Sequence, residues 1–134
     1  MNDIIRKYIG KPYQHNGRSD KLDCLGLVVS FLNDNGMSLP ENDGNPILEH
    51  WYREDPERLV RGFEKYGEKI PVDQLQPFDV VVFSFQGIPR HAGVMVDRSN
   101  FMHARQGKDV AVIRLKHYMK FFHSAYRIGG VSNG

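Results

Sequence analysis

The chain of 134 residues has one cysteine, one tryptophan and almost balanced charge. A lone thiol excludes an intramolecular disulfide. No apolar run reaches the length of a membrane-spanning helix, and the opening Met-Asn-Asp-Ile-Ile-Arg-Lys lacks the apolar core of a secretory signal. A protein made and folded in the cytoplasm without a signal peptide is therefore expected. Lys plus Arg number 18 against 16 Asp plus Glu, and a net charge of +2 gives no electrostatic reason to expect a nucleic-acid partner. Repeats and low-complexity tracts are missing as well. With 40% hydrophobic and 25% charged residues, the remaining expectation is one globular domain over residues 1–128, followed by a flexible tail over 129–134.

The one thiol has a distinctive setting, Lys21-Leu22-Asp23-Cys24-Leu25-Gly26-Leu27-Val28-Val29. Leu25, Val28, Val29 and Leu32 recur at the i, i+3, i+4, i+7 spacing of a helix face, so a helix is expected to start near Asp23 with that residue as N-cap. The unpaired amides and positive dipole end of a first helical turn favour thiolate over thiol, which lowers a cysteine pKa from about 8.5 toward neutrality. The competing reading, a small buried apolar cysteine, is common for lone thiols.

A second constellation favours chemistry. Arg90-His91-Ala92-Gly93-Val94-Met95-Val96-Asp97 is followed by Asn100-Phe101-Met102-His103-Ala104, which reads as a hairpin carrying both histidines. If both lie on one face, His91 can reach a thiol with His103 behind it, the nucleophile, base and orienter arrangement of cysteine hydrolases. His15, His50, His117 and His123 lack such a setting and read as structural.

Around these residues the periodicity predicts helices first and strands second. Asn2 or Asp3 caps a first helix with Ile4, Ile5, Tyr8 and Ile9 inward, ending at Gly10. The cysteine helix stops at Asn35-Gly36. Asp55-Pro56 starts a third helix, at N-cap and N1, with Leu59, Val60, Phe63 and Tyr66 on one face before Gly67. Trp51 and Tyr52, in the segment between, either line the core or stack on a sugar, and the large area that aromatics bury favours the core. After Pro71, Val80 to Phe83, Val94 to Val96, Phe101 to His103, Val110 to Ile113 and Ser124 to Ile128 read as short antiparallel strands, with Gly87-Ile88-Pro89 as the first turn. The fold class is α+β, with the cysteine helix packed on the sheet.

Four pieces in order, Tyr8-Ile9-Gly10-Lys11-Pro12-Tyr13, Asp23-Cys24-Leu25-Gly26-Leu27-Val28, Leu75-Gln76-Pro77-Phe78-Asp79-Val80-Val81-Val82-Phe83 and the His91/His103 hairpin, resemble the NlpC cysteine peptidases. These are papain-like enzymes that cut the peptide stems of bacterial cell walls. The resemblance runs from about Ile4 to Arg127 and implies Cys24 as nucleophile, His91 as general base and His103 as the orienting third residue. It further implies that Tyr13 helps hold the oxyanion and that Asp23 contacts the substrate's amino end. The bond implied lies between D-glutamate and a diamino acid, the partner is peptidoglycan or its muropeptides, and no cofactor or metal is called for. Leu25 stands where the family usually has serine, which bears on substrate choice, and Phe78 where it usually has glycine. The leucine variant resembles the phage and prophage subset, so phage tail or secretion components are implied as delivery partners, and a cytoplasmic or virion-associated location.

Two other classes remain at this level. Cys24, His91 and His103 form a possible zinc set, although the close ligand pairs of structural zinc sites are missing. The same fold also serves as a catalytically inactive assembly or scaffold protein.

Overall fold

The computed structural model describes residues 2–13, 24–37, 57–105 and 107–128. Among the described residues three helices, α1 (Asn2–Tyr8), α2 (Cys24–Asp34) and α3 (Arg58–Tyr66), precede or flank a six-stranded sheet. Its strands are β1 (Gly67–Ile70), β2 (Val80–Phe85), β3 (Ile88–Met95), β4 (Asn100–His103), β5 (Ala111–Arg114) and β6 (Phe122–Ile128). The order across the sheet is β1-β6-β2-β3-β4-β5, and every neighbouring pair is antiparallel. The α+β class expected from periodicity is therefore the observed one.

Strand alternation sorts the side chains into two cores. Val80, Val82, Ala92, Val94 and Met102 pack with Tyr8 of α1, with Leu27, Val28, Phe31 and Leu32 of α2, and with Leu59, Val60 and Phe63 of α3. Val81, Phe83, Met95, Phe101 and Ala125 join Leu115 and Tyr118, which belong to short 3-10 turns. The helix of Cys24 is buried more widely than its predicted face, because Leu27 and Phe31 are as inaccessible as Val28 and Leu32. Burying four such side chains contributes about 1.5–3 kcal/mol each, which anchors the helix against β3 and β4.

Several expectations shift in detail. Tyr8 is buried and donates to the Asp34 carboxylate, but Ile9 is 48% exposed, because the chain leaves the helix at Tyr8 and turns at Gly10 with φ +89°. The third helix starts at Arg58 with Glu57 in the N-cap position, later than the expected Asp55-Pro56 start, and those two residues lie outside the described ones. Gly67 does not cap that helix in a left-handed conformation. It is extended and opens β1, a strand that periodicity missed. A Cβ there would lie 2.8 Å from Ile128 Cδ1 and 2.9 Å from the Arg127 carbonyl oxygen, so only glycine lets β1 sit this close to β6.

The first hairpin turn also moves. Gln86 (φ +56°) and Gly87 (φ +78°) form the two-residue turn between Phe85 and Ile88, and positive φ at both positions matches the right-handed twist of the strands. Ile88 and Pro89 thus belong to β3, and His91 lies within a strand rather than before one. The register shifts between Phe83 and Ser84, so that Phe83 faces His91 while Ser84 faces Pro89.

Phe78 occupies the left-handed region at φ +77°, which explains why glycine serves well at this point. The strain of a non-glycine residue there is of order 1 kcal/mol and is offset by packing of its ring on Phe31, 5.9 Å away. Next to it, Asp79 is 2% exposed and accepts from Arg127 Nε at 2.9 Å, Arg127 NH2 at 2.8 Å and the Gln76 amide at 2.8 Å. The carboxylate thereby ties the start of β2 to β6, 48 residues away in sequence. Arg127→Ala leaves that buried carboxylate without its cation. Because the arginine itself is partly exposed, the expected destabilisation is about 2–3 kcal/mol, below the full cost of breaking a deeply buried pair. Thermal melting checks this, with a Tm lowered by roughly 10 °C expected and an unchanged Tm contradicting the role assigned to the pair.

Candidate active site

β3 and β4 bring the two predicted histidines together. His91 Nε2 and His103 Nδ1 are 2.8 Å apart, and the rings meet edge to face with centroids 5.1 Å apart. Both side chains lie among the residues of the second core. Phe83 and Phe85 flank His91 at 6.1 and 5.9 Å, and Phe101 and Tyr118 meet His103 edge-on at 4.9 and 5.3 Å. Gly93 makes room for this arrangement, since a Cβ there would stand 2.7 Å from Phe101 Cδ2 and 2.9 Å from the Met102 carbonyl oxygen.

The aromatic surround decides the charge of the pair. His91 is 8% exposed and His103 4%. Burial is the main reason that both are held below the ordinary histidine pKa. Repulsion from His103 and then Arg105 acts in addition on His91, and repulsion from Arg105 on His103. Both imidazoles are thus neutral near pH 7, with one shared proton between Nε2 and Nδ1. His91 Nδ1 is the ring nitrogen that His103 does not engage. When His91 accepts a proton at Nδ1, its Nε2–H donates to His103 Nδ1, and the tautomer of each ring follows from that role.

Cys24 is the first residue of α2, half-buried, on a helix that packs on the strand carrying His91. The first-turn position predicted from the sequence is therefore observed, with the helix-terminal amides beside the thiol's own backbone. Tyr13 follows α1 and its ring packs against the first core. Asp23 lies outside the described residues, as do Trp51, Tyr52, His15 and His50; the side chain of Leu25 lies outside them too. His117 and His123 are exposed, and His123 Nδ1 is within 2.8 Å of Ser124 Oγ. Among the described residues no three His, Cys, Asp or Glu side chains are grouped to hold a metal ion.

Two neighbours of the pair had no signal in the sequence. Arg105 NH1 donates to the Tyr118 hydroxyl at 2.8 Å, and its guanidinium lies 6.0 Å from the centre of the Phe85 ring. Tyr118 stands between two 3-10 turns, a placement that neither a period of 2 nor of 3.6 marks.

Comparison with known families decides the chain's kinship, because the NlpC/P60 family model matches residues 10–128. The chain belongs to the NlpC/P60 family. Members of this family are typically cysteine peptidases that act on peptidoglycan. Solved structures of the same fold include an NlpC/P60 family protein from Bacillus cereus ATCC 10987, with TM-score 0.69 and 20% identity. That match covers 95% of this chain and 39% of the other. The NlpC/p60 domain of peptidoglycan hydrolase SagA matches with TM-score 0.67 and 22% identity over 95% of each chain. NlpC2 from Trichomonas vaginalis matches with TM-score 0.70 and 17% identity, over 94% of this chain and 45% of the other. The chain thus spans about two fifths of the Bacillus cereus relative's length. No curated protein matches it.

Proposed function

We propose that this NlpC/P60 domain is a cysteine peptidase that hydrolyses an amide bond in the peptide stems of peptidoglycan, between D-glutamate and a diamino acid. The observation that carries the reading is the buried His91–His103 contact at 2.8 Å, in a chain whose one thiol opens the helix packed on β3. Burying two imidazoles costs desolvation that their mutual hydrogen bond offsets, and a base with its second nitrogen held by an orienting partner is the arrangement that nucleophilic catalysis uses.

In this reading Cys24 Sγ attacks the scissile carbonyl carbon while His91 Nδ1 takes the thiol proton. The carbonyl π electrons move to oxygen, where the Cys24 amide and the Tyr13 hydroxyl hold the oxyanion. Collapse breaks the C–N bond, and the departing amine takes the proton back from His91. Water, deprotonated by His91, then attacks the thioester, and Cys24 leaves as thiol. Asp23 binds the substrate's amino end.

The test is mass spectrometry of purified wall fragments incubated with the protein, beside a Cys24→Ala control. Fragments with a new diamino-acid amino end, formed by the parent protein alone, are expected. Unchanged fragments, or the same products with Cys24→Ala, would falsify the proposal.

A further inference from the structure

The guanidinium of Arg105 is fixed beside the histidine pair but only partly used. It follows β4 two residues after His103, is exposed, and is held by Tyr118, which meets His103, and by Phe85, which meets His91. Among the described residues its hydrogen bond is the one from NH1 to the Tyr118 hydroxyl, and no carboxylate pairs with it. A planar fork of donors therefore remains open to an anion. We infer that Arg105 receives a carboxylate of the substrate, on the residue adjoining the scissile amide. The inference rests on the proposed peptidase reading and names its substrate class. A glutamate joined to the next residue through one carboxyl group carries the other free, and that group is the ligand a guanidinium fork fits.

The position has a second consequence. Of the charged groups around the pair, Arg105 is the cation whose field opposes protonation of both His91 and His103. Tyr118, between the two 3-10 turns, brings an uncharged hydroxyl-bearing ring to His103. Phe83 and Phe85 of β2 bring no charge. A carboxylate bound at Arg105 cancels its field and makes His91 a stronger base when substrate is present. The same contact then both selects the substrate and readies the base.

Calorimetric titration of Cys24→Ala protein tests the binding half without turnover. The probes are the tripeptide Ala-D-Glu-diamino acid and its analogue in which the free glutamate carboxylate is a carboxamide. Roughly tenfold to hundredfold tighter binding of the carboxylate peptide is expected, the range for a charge-assisted hydrogen bond. Adding Arg105→Gln should remove the difference by weakening the carboxylate peptide alone, and Arg105→Lys should restore part of it. Equal affinity for the two peptides with Arg105 in place overturns the inference, as does an equal loss for both in Arg105→Gln. If the carboxylate preference holds while Cys24-containing protein cleaves neither peptide, the peptidase reading fails and the anion site stands.

Discussion

His91→Ala is expected to lower kcat/KM for stem-peptide cleavage on the order of 10⁴-fold, the loss that follows removal of the general base beside a nucleophile. His103→Ala should cost less, about 10²-fold. His103 is neutral, so its removal takes away orientation of the His91 ring through the 2.8 Å contact but no counter-charge. Cys24→Ala leaves no attacking atom and should fall below both. Steady-state kinetics on one stem peptide, with circular dichroism to show that each variant is folded, check the ranking. Equal residual rates in the three variants would mean that the activity belongs to other residues. If the His103 variant matched the parent, the contact would be a packing feature.

Mild acid should destabilise this protein through its buried histidine pair. Both histidines are held below their unfolded value near 6.5, chiefly by burial, so the folded state resists taking up protons that the unfolded chain binds readily. The stability linked to them is fully present above about pH 6.5 and is lost as pH falls toward their folded values. Each group contributes a slope of about 1.4 kcal/mol per pH unit within that window, so together they cost about 5 kcal/mol over two units at most. Urea denaturation between pH 7 and 4.5 measures the effect. The range lies above that in which Asp34 and Asp97, both held below ordinary carboxylate values, take up protons. Asp34 is lowered first by its hydrogen bond from Tyr8 and Asp97 by that from Asn100. A flat stability curve over this window would show that the pair is hydrated and titrates normally. His103→Gln should reduce the slope by about half.

The outcome for individual residues shows where periodicity carries information. Val28 and Leu32 are fully inaccessible, as the helical spacing after Cys24 requires. Leu27 and Phe31 are equally buried, because α2 lies between α1 and the sheet and no longer has one apolar face. The helix ends before Gly67 as the sequence indicates, but periodicity does not show that Gly67 also opens β1, since a short strand of Gly-Glu-Lys-Ile has too few apolar residues to show alternation. In the site, His91 and His103 were legible because one hairpin joins them and the register across β3 and β4 is local. Arg105 and Tyr118 were not, as the hydrogen bond between them spans 13 residues and an intervening strand.

By itself the sequence determined the α+β class, the helix that begins at Cys24 and the pairing of the two histidine-bearing strands. Those features depend on residues a few positions apart, where helical and strand periods act directly. The tertiary structure decided what the site can do. Return of β6 between β1 and β2 locks Asp79 to Arg127, and closure of the 3-10 turns over Phe83 and Phe101 removes water from the histidines. Their neutrality, and the cation left open beside them, follow from that desolvation and from contacts among residues far apart in the chain.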